Sequence, residues 1–108
     1  MKTLTDASFD AEINTPNKLV LVDFFAIWCG PCQILGPILE KLSDNFKDRI
    51  IFAKADVDQI PINAQKFSVE RIPTVIVFKN GKPVNTFVGL MPENTINDWL
   101  ENLLKETK

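Results

Sequence analysis

The chain of 108 residues carries twelve basic and fourteen acidic side chains, a formal charge of −2. It has no basic block and no tract of aromatics interleaved with Lys or Arg, so nucleic-acid binding has no support and is not expected. Its 45% apolar and 24% charged composition is that of an ordinary soluble globular protein, and the length suits a single domain over residues 1–108. The opening residues, Met1 to Asp6, lack the apolar core of a signal peptide, and the longest hydrophobic run is broken by Asp23. Neither export by that route nor a membrane span is expected, which makes a reducing cytoplasm the default compartment.

Residues 2–4 suit a short edge strand, and Thr5 or Asp6 suits the cap of a helix carrying Phe9 and Ile13 on one face. Asn14-Thr15-Pro16-Asn17 ends that helix. Residues 19–26 are apolar on both alternating faces, as in a central strand covered on both sides. Leu35, Ile38, Leu39, Leu42 and Phe46 then recur at three- and four-residue spacing, one buried stripe of an amphipathic helix. Pro37 removes a hydrogen bond inside that helix and predicts a kink, with Gly36 adding flexibility; both read as structural. Residues 50–57 form a second apolar strand, so strand, helix and strand make a parallel crossover unit. Ile60 to Phe67 reads as a short helix with Pro61 in its first turn. Residues 74–78 are a strand, and Asn80-Gly81 turns it into an antiparallel partner through Val84, Phe87 and Val88. Pro83 cannot donate to a ladder, which puts that partner at an edge or its start outside the ladder. Pro92 opens a last helix whose Ile96, Trp99, Leu100, Leu103 and Leu104 form an apolar stripe, and Trp99 reads as packing alone. The expected architecture is α/β: a central mixed five-stranded sheet flanked by four helices.

The only two cysteines stand in Trp28-Cys29-Gly30-Pro31-Cys32, where the central strand hands over to the long helix. Gly30 allows a tight turn, and Pro31 suits a first helical turn, where N–H groups lack partners anyway. Cys29 then lies at the positive end of the helix, which favours its thiolate and makes it the nucleophile. Cys32, three positions on, is deeper and on the same side, close enough for a disulfide, and is the resolving thiol. Zinc needs about four ligands, and the chain has no His and no third Cys. A structural disulfide of so small a ring contributes only about 2 kcal/mol. That staple, or a pair of ordinary buried thiols, stands as the alternative to reversible redox use. No cofactor is called for.

At this point the chain resembles the thioredoxin family. The resemblance rests on Asp23-Phe24-Phe25-Ala26 leading into the Trp-Cys-Gly-Pro-Cys motif, on Pro37-Ile38-Leu39, on Lys54 with Asp56-Val57-Asp58, on Arg71-Ile72-Pro73-Thr74, on Phe78-Lys79-Asn80-Gly81 and on Val88-Gly89. It covers nearly the whole chain and implies the thioredoxin fold and dithiol–disulfide exchange with disulfide-containing protein substrates, recharged by a thioredoxin reductase, in a monomer. It implies that Cys29 attacks the substrate disulfide, that Cys32 resolves the mixed disulfide, and that Asp23 is the base that deprotonates Cys32. A carboxylate in a strand buried on both faces has a raised pKa suited to that task. Lys54 matches the partner of that Asp, although its position alone reads as a solvated lysine. Pro73 is then cis and faces the disulfide, and the backbone of Ile72 pairs with an extended substrate segment. Trp28, Gly30, Pro31, Ile72, Pro73 and Gly89 form the docking surface.

Several residues depart from the commonest family pattern. Phe25 stands where a second tryptophan is frequent, Ile27 and Gln33 flank the motif where charges are frequent, and Arg71 places a cation beside the docking groove. Phe25 should change fluorescence more than chemistry, while Ile27, Gln33 and Arg71 bear on partner choice. Two other functions compete with the reductase: a binding scaffold that uses the same groove with redox state secondary, and an oxidant or isomerase. The Gly-Pro insert and the expected reducing compartment rank the reductase first.

Overall fold

The apolar run after residue 18 forms the middle of a five-stranded sheet, and the chain adds its other elements around it in the computed structural model, which describes residues 1–107. In chain order these are β1 (Lys2–Thr3), α1 (Phe9–Ile13), β2 (Leu19–Phe25), α2 (Gly30–Phe46), β3 (Ile50–Asp56), α3 (Pro61–Lys66), β4 (Thr74–Lys79), β5 (Lys82–Val88) and α4 (Glu93–Glu106). The sheet order is β1-β3-β2-β4-β5. β3 runs parallel to both β1 and β2, and β4 and β5 are antiparallel additions. The α/β architecture is the mixed sheet flanked by four helices that the residue pattern predicts.

Alternation along β2 divides its side chains between two cores. Leu19 and Leu21 join Leu35, Leu39, Leu42 and Phe46 of α2 and Ile96, Leu100 and Leu103 of α4. Val20, Val22 and Phe24 join Phe9 and Ile13 of α1, with Ala64 and Phe67 from the α3 region against them. Helices therefore cover both faces, which is why β2 is apolar without interruption except at Asp23. Asp23 has the parity of Leu19 and Leu21, so it points to the α2 side.

The ends of elements follow local chemistry. The Thr5 hydroxyl accepts from the Ser8 N–H at 3.1 Å and the Thr5 carbonyl accepts from the Phe9 N–H at 3.0 Å, so Thr5 starts the turn that leads into α1. The N-cap, however, is Ser8, without a side-chain cap bond, rather than Thr5 or Asp6. Asp6 does something the sequence does not suggest: it reaches across to α3 and accepts from the N–H groups of Ile62 and Asn63 and from Asn63 Nδ2. Desolvation works to raise its pKa, but the hydrogen bonds from Asn63 and Ile62 outweigh it and hold Asp6 below the usual carboxylate value. In the β4–β5 turn Asn80 and Gly81 both have positive φ, 52° and 81°, the backbone a two-residue hairpin needs. β5 is an edge strand, and the ladder shifts register at Val77/Phe78 opposite the stretch that holds Pro83.

Candidate active site

The site is assembled where β2 ends. Ala26 is fully buried, and its carbonyl accepts from the Cys29 N–H at 3.2 Å, closing the turn that carries the chain from strand to helix. Cys29 is the N-cap of α2, in extended conformation with φ −88° and ψ 115°. Gly30 and Pro31 occupy the first helical positions, where a missing N–H costs nothing. The Cys29 Sγ takes the place of the oxygen that usually caps a helix: it accepts from the Cys32 N–H at 3.2 Å. A free N–H and the positive end of the helix thus meet at this sulfur, an arrangement that stabilises a thiolate.

Cys29 and Cys32 are joined as a disulfide, with Cα atoms 5.3 Å apart. Both are buried, Cys29 at 6% exposure and Cys32 at 4%, so the difference in depth between them is small in the oxidised form. The residues around them differ sharply. Trp28 is 72% exposed and Ile27 73% exposed, so neither is a core residue. The Trp28 indole N–H donates to Asp58 Oδ2 at 2.9 Å, and Gln33 Nε2 donates to the Ile27 carbonyl at 2.9 Å. These two bonds tie down the exposed turn. In the sequence Asp58 carries no signal beyond its place after Asp56-Val57, and Gln33 none beyond its lack of charge.

Opposite the turn lies the loop before β4. The Ile72–Pro73 peptide bond is cis, Pro73 is buried, and Ile72 packs with Phe25 and Val57 against Ala26, Cys29 and Cys32. Gly89, at φ 95°, donates its N–H to the Pro73 carbonyl at 2.8 Å and ties the end of β5 to this loop. Arg71 is exposed beside it.

On the inner side of the disulfide, a cleft of about 640 Å³ is lined by Asp23, Phe25, Cys32, Gly36, Pro37 and Lys54, with Glu40, Lys41 and Asp44 of α2 around it. Asp23 is 2% exposed, and its Oδ1 is the one buried side-chain oxygen or nitrogen among the described residues without a hydrogen-bond partner. Burial pushes its pKa from 3.8 up to about 7, with Lys54 opposing the rise. Asp23 and Lys54 are register partners on β2 and β3. The Lys54 ammonium sits over the Phe25 ring, 5.9 Å from its centroid.

A disulfide capping a helix at the carboxyl end of a central strand, with a carboxyl group poised to titrate near neutrality in the adjoining cleft, defines a thiol–disulfide oxidoreductase. Comparison with known proteins agrees. The family model described as Thioredoxin matches residues 1–102. The chain is 45% identical over 97 residues to "Thioredoxin 2" of Chlorobaculum tepidum, covering 90% of this chain and 89% of that protein. It is 44% identical over 101 residues to "Thioredoxin" of Staphylococcus haemolyticus, covering 94% and 95%. It is 41% identical over 107 residues to "Thioredoxin Y, chloroplastic" of Oryza sativa, covering 99% of this chain and 64% of that one. The chain belongs to the thioredoxin family. Among the described residues, no helix is long and apolar enough to cross a membrane.

Proposed function

We propose that the protein is a cytoplasmic protein-disulfide reductase that acts as a single-domain monomer on disulfide-containing proteins and is recharged by a thioredoxin reductase. The observation that carries this reading is the pairing of a helix-capping sulfur, Cys29, with a buried carboxyl group, Asp23, in the cleft that Cys32 also lines. In the reduced protein the Cys29 thiolate attacks one sulfur of the substrate disulfide. That bond breaks, a mixed disulfide forms, and the other substrate sulfur leaves as a thiolate that takes up a proton. The Cys32 thiol gives its proton to the Asp23 carboxylate and attacks Cys29 Sγ. The Cys29–Cys32 disulfide forms as the second substrate thiolate departs, so two electrons pass to the substrate. Lys54, across the cleft, favours the ionised form of Asp23 and keeps it able to accept the proton.

Docking uses the surface around the disulfide. Trp28, Gly30 and Pro31 are exposed, Ile72 and Gly89 are half-buried, and Pro73, itself buried, contributes through the cis bond that sets the backbone of Ile72. An extended substrate segment pairs with the backbone of Ile72 and lies along this seam. With Ile27 and Gln33 uncharged, docking relies on apolar contact, and Arg71 adds a cation at its edge.

The test is the equilibrium of the pair against glutathione, followed by Trp28 and Trp99 fluorescence or by alkylation of the two cysteines. The disulfide is expected to become dithiol only at a poise well below that of glutathione; ready reduction by glutathione alone would overturn the reductase reading in favour of an oxidant or isomerase. Cys32→Ser separates the reductase from a binding scaffold. It traps mixed disulfides with protein substrates under the first reading and leaves complex formation unchanged under the second.

A further inference from the structure

Gly36 is an unexplained residue on the inner side of the disulfide. It lies in the interior of α2, one turn after Cys32 and so on the same helical face. Glycine there weakens a helix relative to alanine. Nothing in the packing asks for it: a Cβ built at Gly36 meets no atom within 4 Å, and its φ is not in the left-handed region. What the missing side chain leaves is space, and that space belongs to the cleft of about 640 Å³ that also holds Asp23 and Cys32. Into the same cleft opens a carboxylate whose Oδ1 has no partner in the protein, although the residue is only 2% exposed. A buried charged oxygen without a protein donor needs water if it is to ionise.

We propose that Gly36 is a positioning residue for the resolving step: by omitting a side chain it keeps the cleft wide enough for water to reach Asp23, so that the carboxylate ionises and can take the proton of Cys32. The inference rests on the role given above to Asp23. The proton moves from the Cys32 sulfur to Asp23 and then, between turnovers, to water in the cleft. A side chain at residue 36 displaces that water, the carboxyl group loses solvation, and its titration moves to higher pH. The other charged groups facing the cleft are Lys54 on β3, Glu40, Lys41 and Asp44 on α2, and the Met1 amine, which pairs with Glu40 at 2.9 Å. None of them is altered by the change. A different reason for glycine would be Pro37, whose ring crowds the Cβ of the preceding residue. That reason concerns the backbone alone and predicts no movement of any titration.

The experiment is a series at this position, Gly36→Ala, Gly36→Gln and Gly36→Leu, each checked for folding by thermal unfolding. Two rates are measured from pH 5 to pH 10 (about this range spans both sides of the Asp23 titration): attack by Cys29, in the Cys32→Ser background, and resolution of the mixed disulfide in a single turnover. The pH midpoint of resolution should rise with side-chain size, by about one pH unit for Gly36→Leu. Resolution at pH 7 would then slow about fivefold, recovering at high pH, while attack by Cys29 is unchanged. Gly36→Ala, whose methyl meets nothing, keeps the series readable even if a larger variant does not fold, and should show the same movement at smaller size. Superimposable resolution profiles across the folded variants would overturn the proposal. Asp23→Asn is run in parallel. If it leaves the resolution profile of the parent intact, the role of Asp23 fails and Gly36 with it. If it abolishes the profile while the Gly36 series does not move, only the role of Gly36 fails.

Discussion

Asp23 interrupts an otherwise apolar strand, and its effect on stability has a definite sign. In the oxidised protein its pKa stands at about 7 against 3.8 for the ordinary side chain, because burial disfavours the charged form more than Lys54 favours it. Between these two values the folded chain holds a proton that the unfolded chain has released. The Asp23 contribution to stability therefore falls as pH rises from about 4 to about 7 and is level on either side. The size of this term is up to about 4 kcal/mol. Denaturant unfolding of Asp23→Asn should show that slope removed, and at pH 8 the variant should be more stable than the parent, by less than the full amount because an amide is still buried. An unchanged slope would locate the titration elsewhere. At this scale the sequence was informative wherever a residue type conflicts with its surroundings. A carboxylate in a buried strand and two cysteines at a helix start stand out without a structure. Asp58 and Gln33 do not, because an exposed polar residue gives no sign of which distant group it holds. The cis bond before Pro73 is equally silent in the residues themselves, since nearly all such bonds are trans, and it was expected only through the family resemblance.

Among the elements, those with strong periodicity were legible: β2, the stripe of α2, the β4–β5 hairpin and α4. Boundaries shifted by a residue or two, as at α3, where Ile60 is a cap and Phe67 lies beyond the last turn. The tie from Asp6 to α3 was not legible, because it joins residues more than fifty positions apart and its residue type suggests a local role, capping α1, in a position that Ser8 occupies. The Asn80-Gly81 turn gives the clearest prediction at this level. Gly81 has φ 81°, and a Cβ there would run into the Asn14 side chain, while the Gly81 N–H donates to the Ile13 carbonyl at 3.1 Å. Gly81→Ala should cost at least about 1 kcal/mol in denaturant unfolding. Gly81→Ala combined with Asn14→Ala relieves the collision but not the backbone strain, so it should recover part of the loss. In α2, Leu35→Ala removes a fully buried side chain from the core on that face and should cost about 2–5 kcal/mol.

For the molecule as a whole, two apolar cores on opposite faces of one sheet carry the fold, and the disulfide is peripheral to both. Cys29 and Cys32 are three positions apart, so their bond restricts the unfolded chain very little. Reduction should lower unfolding free energy by only about 2 kcal/mol on the loop-entropy account. The dithiol form should remain folded, with circular dichroism like that of the oxidised form; collapse on reduction would mean that the bond is a staple after all. A protein that changes redox state in each cycle requires this separation between what holds the fold and what reacts.

The two edges of the sheet bear on a different property. β1 is only two residues long, and β5 presents Lys82 and Pro83 next to the register shift at Val77/Phe78. A short strand, a charge, a missing donor and a bulge all spoil the template on which another chain would add a strand. At millimolar concentration the folded protein should resist growth of ordered fibres, and replacing Lys82 and Pro83 together by Thr and Val should make seeding measurable by dye binding.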